Sequence, residues 1–376
     1  MRVLTGLRRK AKTAARKLRE ARMFARAMHS TRHPVLAQIV PIRRCNLACA
    51  YCNEFDASSA PAPAAEMLRR IDRLADLGAT IITLSGGEPM LHPDLDALIR
   101  RIRERGAIAT LITNGLLLAP GRIRRLNRAG LDYMQISIDN LEPDEISKKS
   151  LKALGRKLRW LAEFAEFAVT VNSVLGSPVR RPGDALAVAR RARSLGFTST
   201  VGILHDHNGQ LMPLTAEQME IFEEILKLEN SVFSFSHYDR FQRNIARGEP
   251  TDWRCRAGSR FLYVCEDGLV HYCSQRRGYP GIPLAEYGPE RLEREFFTVK
   301  PCAPFCTISC VQQAEMLDAV REDPRGMLRQ LVERRRANDP SFRMPALLRA
   351  LEWMFLDDRN AAFFHRLAVR VFALKK

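Results

Sequence analysis

Between residues 35 and 228 short apolar runs alternate with helical patterns, and this alternation restricts the possible folds more than any other feature of the chain. The apolar runs stand at 35–42, 80–84, 108–113, 133–138, 168–174 and 199–203. Segments with apolar residues three and four positions apart lie between them at 64–77, 94–105, 122–128, 152–166 and 184–195, and a sixth follows at 215–228. Strands this apolar are buried on both faces. Strands that alternate with helices assemble into a parallel sheet through right-handed crossovers. Six units in about 195 residues predict an α/β fold, a partial (β/α)6 barrel rather than the full eight.

The flanks differ in character. Val3, Leu7, Ala11, Ala14, Leu18, Ala21, Ala25 and Met28 repeat at helical spacing among Arg and Lys, which predicts one basic amphipathic helix over 2–28, ended by Pro34. After residue 228 a cysteine-rich segment carries a hairpin signal, FLYVCEDGLVHYC, turning at Asp267 and Gly268. Helical patterns return at 324–338 and 344–374. The expected organisation is therefore a basic helix (1–33), the barrel (34–230), a small cysteine-rich α+β domain (231–322) and C-terminal amphipathic helices (323–376).

Nine clustered cysteines in 376 residues read as thiolate ligands in a reducing compartment rather than as a disulfide framework. No stretch reaches the roughly 18 apolar residues of a membrane span, and the first 33 residues have no apolar signal core. The chain is expected in the cytoplasm. Its net charge is +18, and residues 1–33 supply about +10 of this through eleven Lys or Arg against the single acid Glu20. Such a tail suits an anionic surface, with the inner face of a membrane as the expected contact. Phe24 is its only aromatic residue, which argues against nucleic acid.

In a parallel barrel the chemistry sits at the C-terminal ends of the strands. The informative residues fall there: RRCNLACAYC after the first strand, SGGEP after the second, TNG, SIDN and NS after the next three, and His205, Asp206 and His207 after the sixth. Cys45, Cys49 and Cys52 are three thiols where a closed zinc site needs four. On a [4Fe–4S] cluster three thiolates leave one iron open.

CNLACAYC followed by SGGEP resembles the radical S-adenosylmethionine enzymes over residues 35 to about 228. The resemblance implies a [4Fe–4S] cluster held by Cys45, Cys49 and Cys52, with S-adenosylmethionine on the open iron cleaved to a 5′-deoxyadenosyl radical. It also implies that Tyr51 helps to bind the cofactor, that Gly86, Gly87, Glu88 and Pro89 meet the methionine amino group, and that Asn114, Ser137, Asp139 and Asn172 contact the ribose and carboxylate. A reducing partner such as flavodoxin or ferredoxin follows from it as well.

Cys255, Gly268 and Cys273 resemble the opening of the SPASM or twitch extension found in part of that superfamily. With CAPFCTISC in place of the full seven-cysteine pattern, a second, auxiliary [4Fe–4S] cluster is expected on Cys255, Cys273 and two of Cys302, Cys306 and Cys310. A zinc ribbon suits similar spacings. Cys265 reads as a buried thiol. The function expected is hydrogen-atom abstraction from a lipid presented at a membrane. A peptide-modifying maturase of the RiPP type or an enzyme acting on a small molecule is the alternative, and a non-catalytic iron–sulfur, zinc or nucleic-acid-binding regulator is the alternative of another class.

Overall fold

The computed structural model describes residues 2–204, 211–228 and 236–338, together with 349, 352 and 353. The chain begins with α1 (Arg2–His29), as the periodicity predicts. All six apolar runs then form strands: β1 (Leu36–Ile42), β2 (Ile81–Gly86), β3 (Ile108–Thr113), β4 (Tyr133–Ser137), β5 (Ala168–Gly176) and β6 (Thr198–Leu204). Between and after them stand α2 (Ala64–Asp76), α3 (Leu95–Glu104), α4 (Pro120–Ala129), α5 (Leu151–Phe164), α6 (Gly183–Ser194) and α7 (Ala216–Lys227). His205, Asp206 and His207 lie outside the described residues, as does most of 344–374.

The six strands are parallel and ordered β6-β5-β4-β3-β2-β1, the succession that right-handed crossovers produce. Ile39, Ile82, Leu111, Met134 and Ile136 point outward to meet Ile71, Leu98, Ile123 and Leu158 of the helices in one continuous core. Burying each such side chain stabilises the fold by roughly 1.5–3 kcal/mol. Leu36 and Val40, at the alternate positions of β1, belong to a second core instead. Pro41 cannot donate a ladder hydrogen bond, and the β1–β2 register shifts between Ile39 and Ile42.

After α8 (Ser236–Arg247), which the sequence pattern did not reveal, the cysteine-rich segment joins the same sheet. The predicted hairpin forms from β7 (Phe261–Val264) and β8 (Leu269–His271), and β9 (Pro280–Pro283) completes nine strands in the order β6-β5-β4-β3-β2-β1-β7-β8-β9. β7 is parallel to β1, with Leu36 opposite Phe261. The hairpin turn spans 265–268, where Gly268 takes φ +82°, a conformation glycine adopts without a Cβ penalty. The chain continues through α9 (Pro289–Phe297), α10 (Ser309–Glu322) and α11 (Pro324–Asn338). Among the described residues no helix is long and apolar enough to cross a membrane.

The helix α1 lies across the end of the barrel where the strands begin. Arg19 pairs with Asp132 and Glu20 accepts from the Tyr133 hydroxyl, both at the start of β4. Arg9 donates to the carbonyls of Ala162 and Ala165 at the end of α5. The cysteine loop after β1 is at the opposite end.

Candidate active site

The loop after β1 is fixed at both ends before any thiol is considered. Cys45 N donates to Asp56 O at 3.0 Å, and Asp56 N returns a bond to Arg43 O at 3.2 Å. The Asp56 carboxylate in turn accepts from Ser58 N and Ser59 N. Within this frame Cys52 N donates to Cys49 O at 3.0 Å, which turns the loop back on itself. Leu47 N and Asn114 Nδ2 point at Cys45 Sγ from 3.4 and 3.7 Å, and Ser147 Oγ stands 3.7 Å from Cys49 Sγ. Burial pushes the Cys45 and Cys52 thiols up, so without a metal they hold their protons.

SGGEP, at the end of β2, supports that loop from behind. A Cβ on Gly87 would collide with the Arg43 and Arg44 carbonyl oxygens, and one on Gly86 would stand 2.8 Å from Ile42 O. The glycines therefore let the second strand end press against the backbone of the cysteine loop. Glu88 is wholly buried; its carboxylate accepts from Met90 N at 2.9 Å, Thr113 Oγ1 at 2.7 Å and Asn114 N at 2.8 Å. It braces the end of β3 rather than facing open space. Pro89 starts a buried 3₁₀ turn behind it.

Two cavities meet the loop. The smaller, about 120 Å³, is lined by Cys45, Cys49 and Cys52 with Gly86, Gly87 and Asn114, and Tyr51, Ser137 and Lys149 close its side. The larger, about 830 Å³, takes in Tyr51, Cys52, Ser137, Asp139 and Asn172 on the barrel side and Cys273, Cys302 and Cys306 on the other. Its floor is apolar, from Val174, Val201, Ile203 and Ile245, with Gln242, Gln275 and Arg276 at its wall. Ten of the twelve site residues expected around the first cluster thus line one or both of these cavities, which share Tyr51, Cys52, Ser137 and Lys149, and Glu88 and Pro89 line neither.

Lys149 was not foreseen from the sequence. Its ammonium lies 3.1 Å from Asp139 Oδ2 and donates to the Tyr51 hydroxyl, which itself donates to Asp139 Oδ2 at 2.5 Å. Burial pulls the lysine pKa down, but Asp139 and Tyr51 outweigh it and the net displacement is upward. Asp139 Oδ1 has no partner and is buried beside the cavity, an acceptor suited to a hydroxyl of a bound nucleoside. This orphaned oxygen, the glycine-lined wall and three thiols on one side of the small cavity fit a cluster with a nucleoside cofactor. The only sequence signal for Lys149 was a lysine pair ahead of Ser150, which caps α5.

The second set of thiols is more enclosed. Burial pushes Cys255 up to about 12, and Cys273 and Cys302 add to the effect. Cys306 is raised by burial and then by Cys255, Cys273 and Cys302. Cys273, Cys302 and Cys306 line the larger cavity together, and Cys255 lies near enough for its charge to raise Cys306. Cys310, pushed up to about 11 by burial and then by Glu54, does not take part in this mutual repulsion. Glu54 accepts from the Tyr263 hydroxyl, and its charge acts on both Cys273 and Cys310, raising them after burial does. Burial raises its own pKa.

Cys265 is a buried thiol, as expected, accepting from Arg277 Nε and Nη2 at 3.1 and 2.9 Å. Its sulfur lies within 4.8 Å of ligand atoms of Asp267 and His271. Gly278 N donates to His271 Nδ1 at 2.9 Å, which leaves the neutral ring's proton on Nε2. That ring has no free lone pair for a metal, and the guanidinium already occupies the sulfur.

These geometries agree with the relatives of the chain. Over 266 residues it is 40% identical to the PqqA peptide cyclase of Ruegeria pomeroyi, a match covering 68% of this chain and 71% of that one. It is 31% identical over 259 residues to the PqqA peptide cyclase of Methylorubrum populi, covering 64% of this chain and 65% of the relative, so slightly under two thirds of that protein's length is matched. In fold it is similar to Streptococcus suis SuiB bound to the precursor peptide SuiA, with a TM-score of 0.52 and 15% identity over 69% of this chain and 64% of that one. The family model of the Radical SAM superfamily matches residues 39–228, from within β1 to just past α7, the span that builds the barrel, the smaller cavity and part of the lining of the larger. The chain therefore belongs to the radical SAM superfamily and is an enzyme that uses a [4Fe–4S] cluster with S-adenosylmethionine.

Proposed function

We propose that this enzyme modifies a peptide, with the reacting residue held in the large cavity between the two thiol sets. The observation that carries this reading is that Cys52 and the trio Cys273, Cys302 and Cys306 line the same 830 Å³ space. A substrate residue there would lie between two redox centres. The PqqA peptide cyclases are named for a peptide substrate, which favours a peptide over the lipid expected from the basic termini.

Cys45, Cys49 and Cys52 would hold the catalytic cluster, which with S-adenosylmethionine supplies a 5′-deoxyadenosyl radical able to remove a hydrogen atom. The chain's own residues position the cofactor. Lys149 and Tyr51 hold Asp139 Oδ2, which leaves Oδ1 to accept from a ribose hydroxyl, and Asn114, Ser137 and Asn172 offer short polar groups at three strand ends. The strand-end backbone at Gly86 and Gly87 would meet the methionine amino group. Cys255, Cys273, Cys302 and Cys306 would hold the auxiliary cluster, with all four thiols engaged, and would make it an electron carrier rather than a substrate-binding site. A flavodoxin- or ferredoxin-type donor would supply the reducing electron.

The test uses reconstituted enzyme under anaerobic conditions with S-adenosylmethionine, dithionite and extracts of deuterium-labelled cells, and follows deuterium entering 5′-deoxyadenosine. Label transfer from the peptide fraction that disappears on protease treatment supports the reading. Transfer from the lipid fraction alone would overturn it.

A further inference from the structure

Over residues 9–20 the face that α1 turns toward the barrel is its charged one, whereas its last turns pack Met23, Ala27 and Met28 into the second core. At 3.6 residues per turn Ala11, Ala14, Leu18, Ala21 and Ala25 share one stripe, and such a stripe normally covers a core. Here all five are exposed, Leu18 to 53%, and Phe24 beside them to 40%. The opposite face makes the contacts: besides Arg9, Arg19 and Glu20, Lys12 bonds Asn127 O at 2.7 Å and Glu166 at 2.5 Å, and Arg16 lies 5.3 Å from the Tyr133 ring centre. Exposed Lys10 and Lys17 flank the stripe on one side, exposed Arg8, Arg22 and Arg26 on the other. Next to the helix, against α4 and α5, is a cleft of about 560 Å³ whose lining includes Arg8, Lys12, Arg124 and Arg128. Glu166, its one acidic lining residue, is already paired with Lys12.

We propose that this face docks on an anionic lipid bilayer, with α1 lying in the headgroup plane and the cationic cleft receiving a lipid phosphate. An apolar stripe bordered by Lys and Arg is the arrangement of an interfacial helix, and the complementary charge identifies the occupant. Because the stripe is mostly alanine, attraction between charges contributes most of the binding and salt weakens it. The strands begin at this face and the cavities open at the other end. Docking therefore tethers the enzyme while its substrate cavity faces away from the bilayer, an orientation that suits a soluble peptide and not a lipid drawn from that bilayer. The inference stands whether or not the substrate is a peptide.

Flotation of the full-length protein with phosphatidylcholine vesicles, with and without phosphatidylglycerol, tests it. Binding is expected only with phosphatidylglycerol and is expected to fall steeply at about 0.5 M salt. Arg124→Gln and Arg128→Gln should each weaken it about fivefold, and Leu18→Glu with Phe24→Glu about tenfold or more, with an unchanged melting temperature because these side chains face solvent or the cleft. Three results would overturn the proposal. The first is no vesicle binding, or equal binding to neutral vesicles. The second is binding that ignores Leu18→Glu and Phe24→Glu while RNA displaces it, which marks a nucleic-acid surface. The third is self-association removed by Leu18→Glu without any lipid binding, which marks a contact between two copies.

Discussion

The two ends of the barrel use buried polar groups in opposite ways. At the mouth, where the strands end, thiols are raised by burial, Asp139 Oδ1 is left without a partner, and glycines permit backbone contacts that no Cβ allows. At the floor ion pairs dominate, although Asp318 Oδ1, Arg19 Nε and His33 Nε2 are also buried without a hydrogen-bond partner. Arg260, fully buried, meets Asp318 at 3.1 Å and donates to the carbonyls of Ala27, Ser30 and His33, so that one guanidinium ties β7 to α10 and to the end of α1. Asp132 likewise takes Arg19, Arg103 at 3.3 Å and Ala109 N at 3.1 Å. The groups proposed to hold the cofactor lie at the mouth beside Asp139 Oδ1, and the stabilising ion pairs gather at the far end.

Cys49→Ala should break this division most visibly if it is wrong. Its 5′-deoxyadenosine formation is expected to fall by at least about a thousandfold, while the melting temperature of the metal-free protein stays within a few degrees of wild type. A wild-type rate in this variant would remove the three-thiol loop from the chemistry. The floor should behave in reverse. Asp318→Ala leaves a buried guanidinium with only carbonyl acceptors and is expected to cost about 3 kcal/mol in urea unfolding. The rate per folded molecule should hardly change. A loss of activity exceeding the loss of folded protein would mean that the two ends are coupled.

How much of each end was legible in the sequence follows the same line. The strands were readable because each is an apolar run bounded by turn residues, and the three-thiol spacing survives in any register. Gly87 was legible as a required glycine, but its neighbours, the Arg43 and Arg44 carbonyls, were not, since that contact joins two strand ends about forty residues apart. The orientation of α1 had no local signal: periodicity gives the apolar stripe, and it is Asp132, Tyr133 and Glu166, distant in sequence, that take its other face. The parallel pairing of β7 with β1 likewise had no local signal, because a four-residue strand, FLYV, can join any edge its neighbours leave open.

Lys149→Met probes the middle of the range. It removes the cation holding Asp139 and Tyr51 but keeps the side chain's bulk. Half-saturation by S-adenosylmethionine should rise about tenfold, which matches the loss of roughly 1.4 kcal/mol from one charge-assisted contact. Lys149→Arg should recover part of that loss if the charge is what matters, because the iron content of both variants should equal wild type. Unchanged half-saturation in the methionine variant would limit the lysine to a structural role and would move the cofactor-orienting group elsewhere in the mouth.

The smallest effect is expected at the floor and in the pH dependence of stability. His33 is buried beside Arg260 and Arg26, and burial first, then those two cations, pull its pKa down to about 3 from 6.5. Between those values the unfolded chain binds a proton that the folded chain refuses. Stability therefore falls as pH drops below 6.5, by at most about 1.4 kcal/mol per pH unit from this residue, and the full contribution is present above 6.5. His33→Gln should flatten that part of the urea-unfolding profile while leaving 5′-deoxyadenosine formation untouched at neutral pH. An unaltered slope would remove His33 as the source of the acid loss, and Glu54 and Glu88 could not replace it, because carboxyls raised by burial in the folded state favour folding as pH falls.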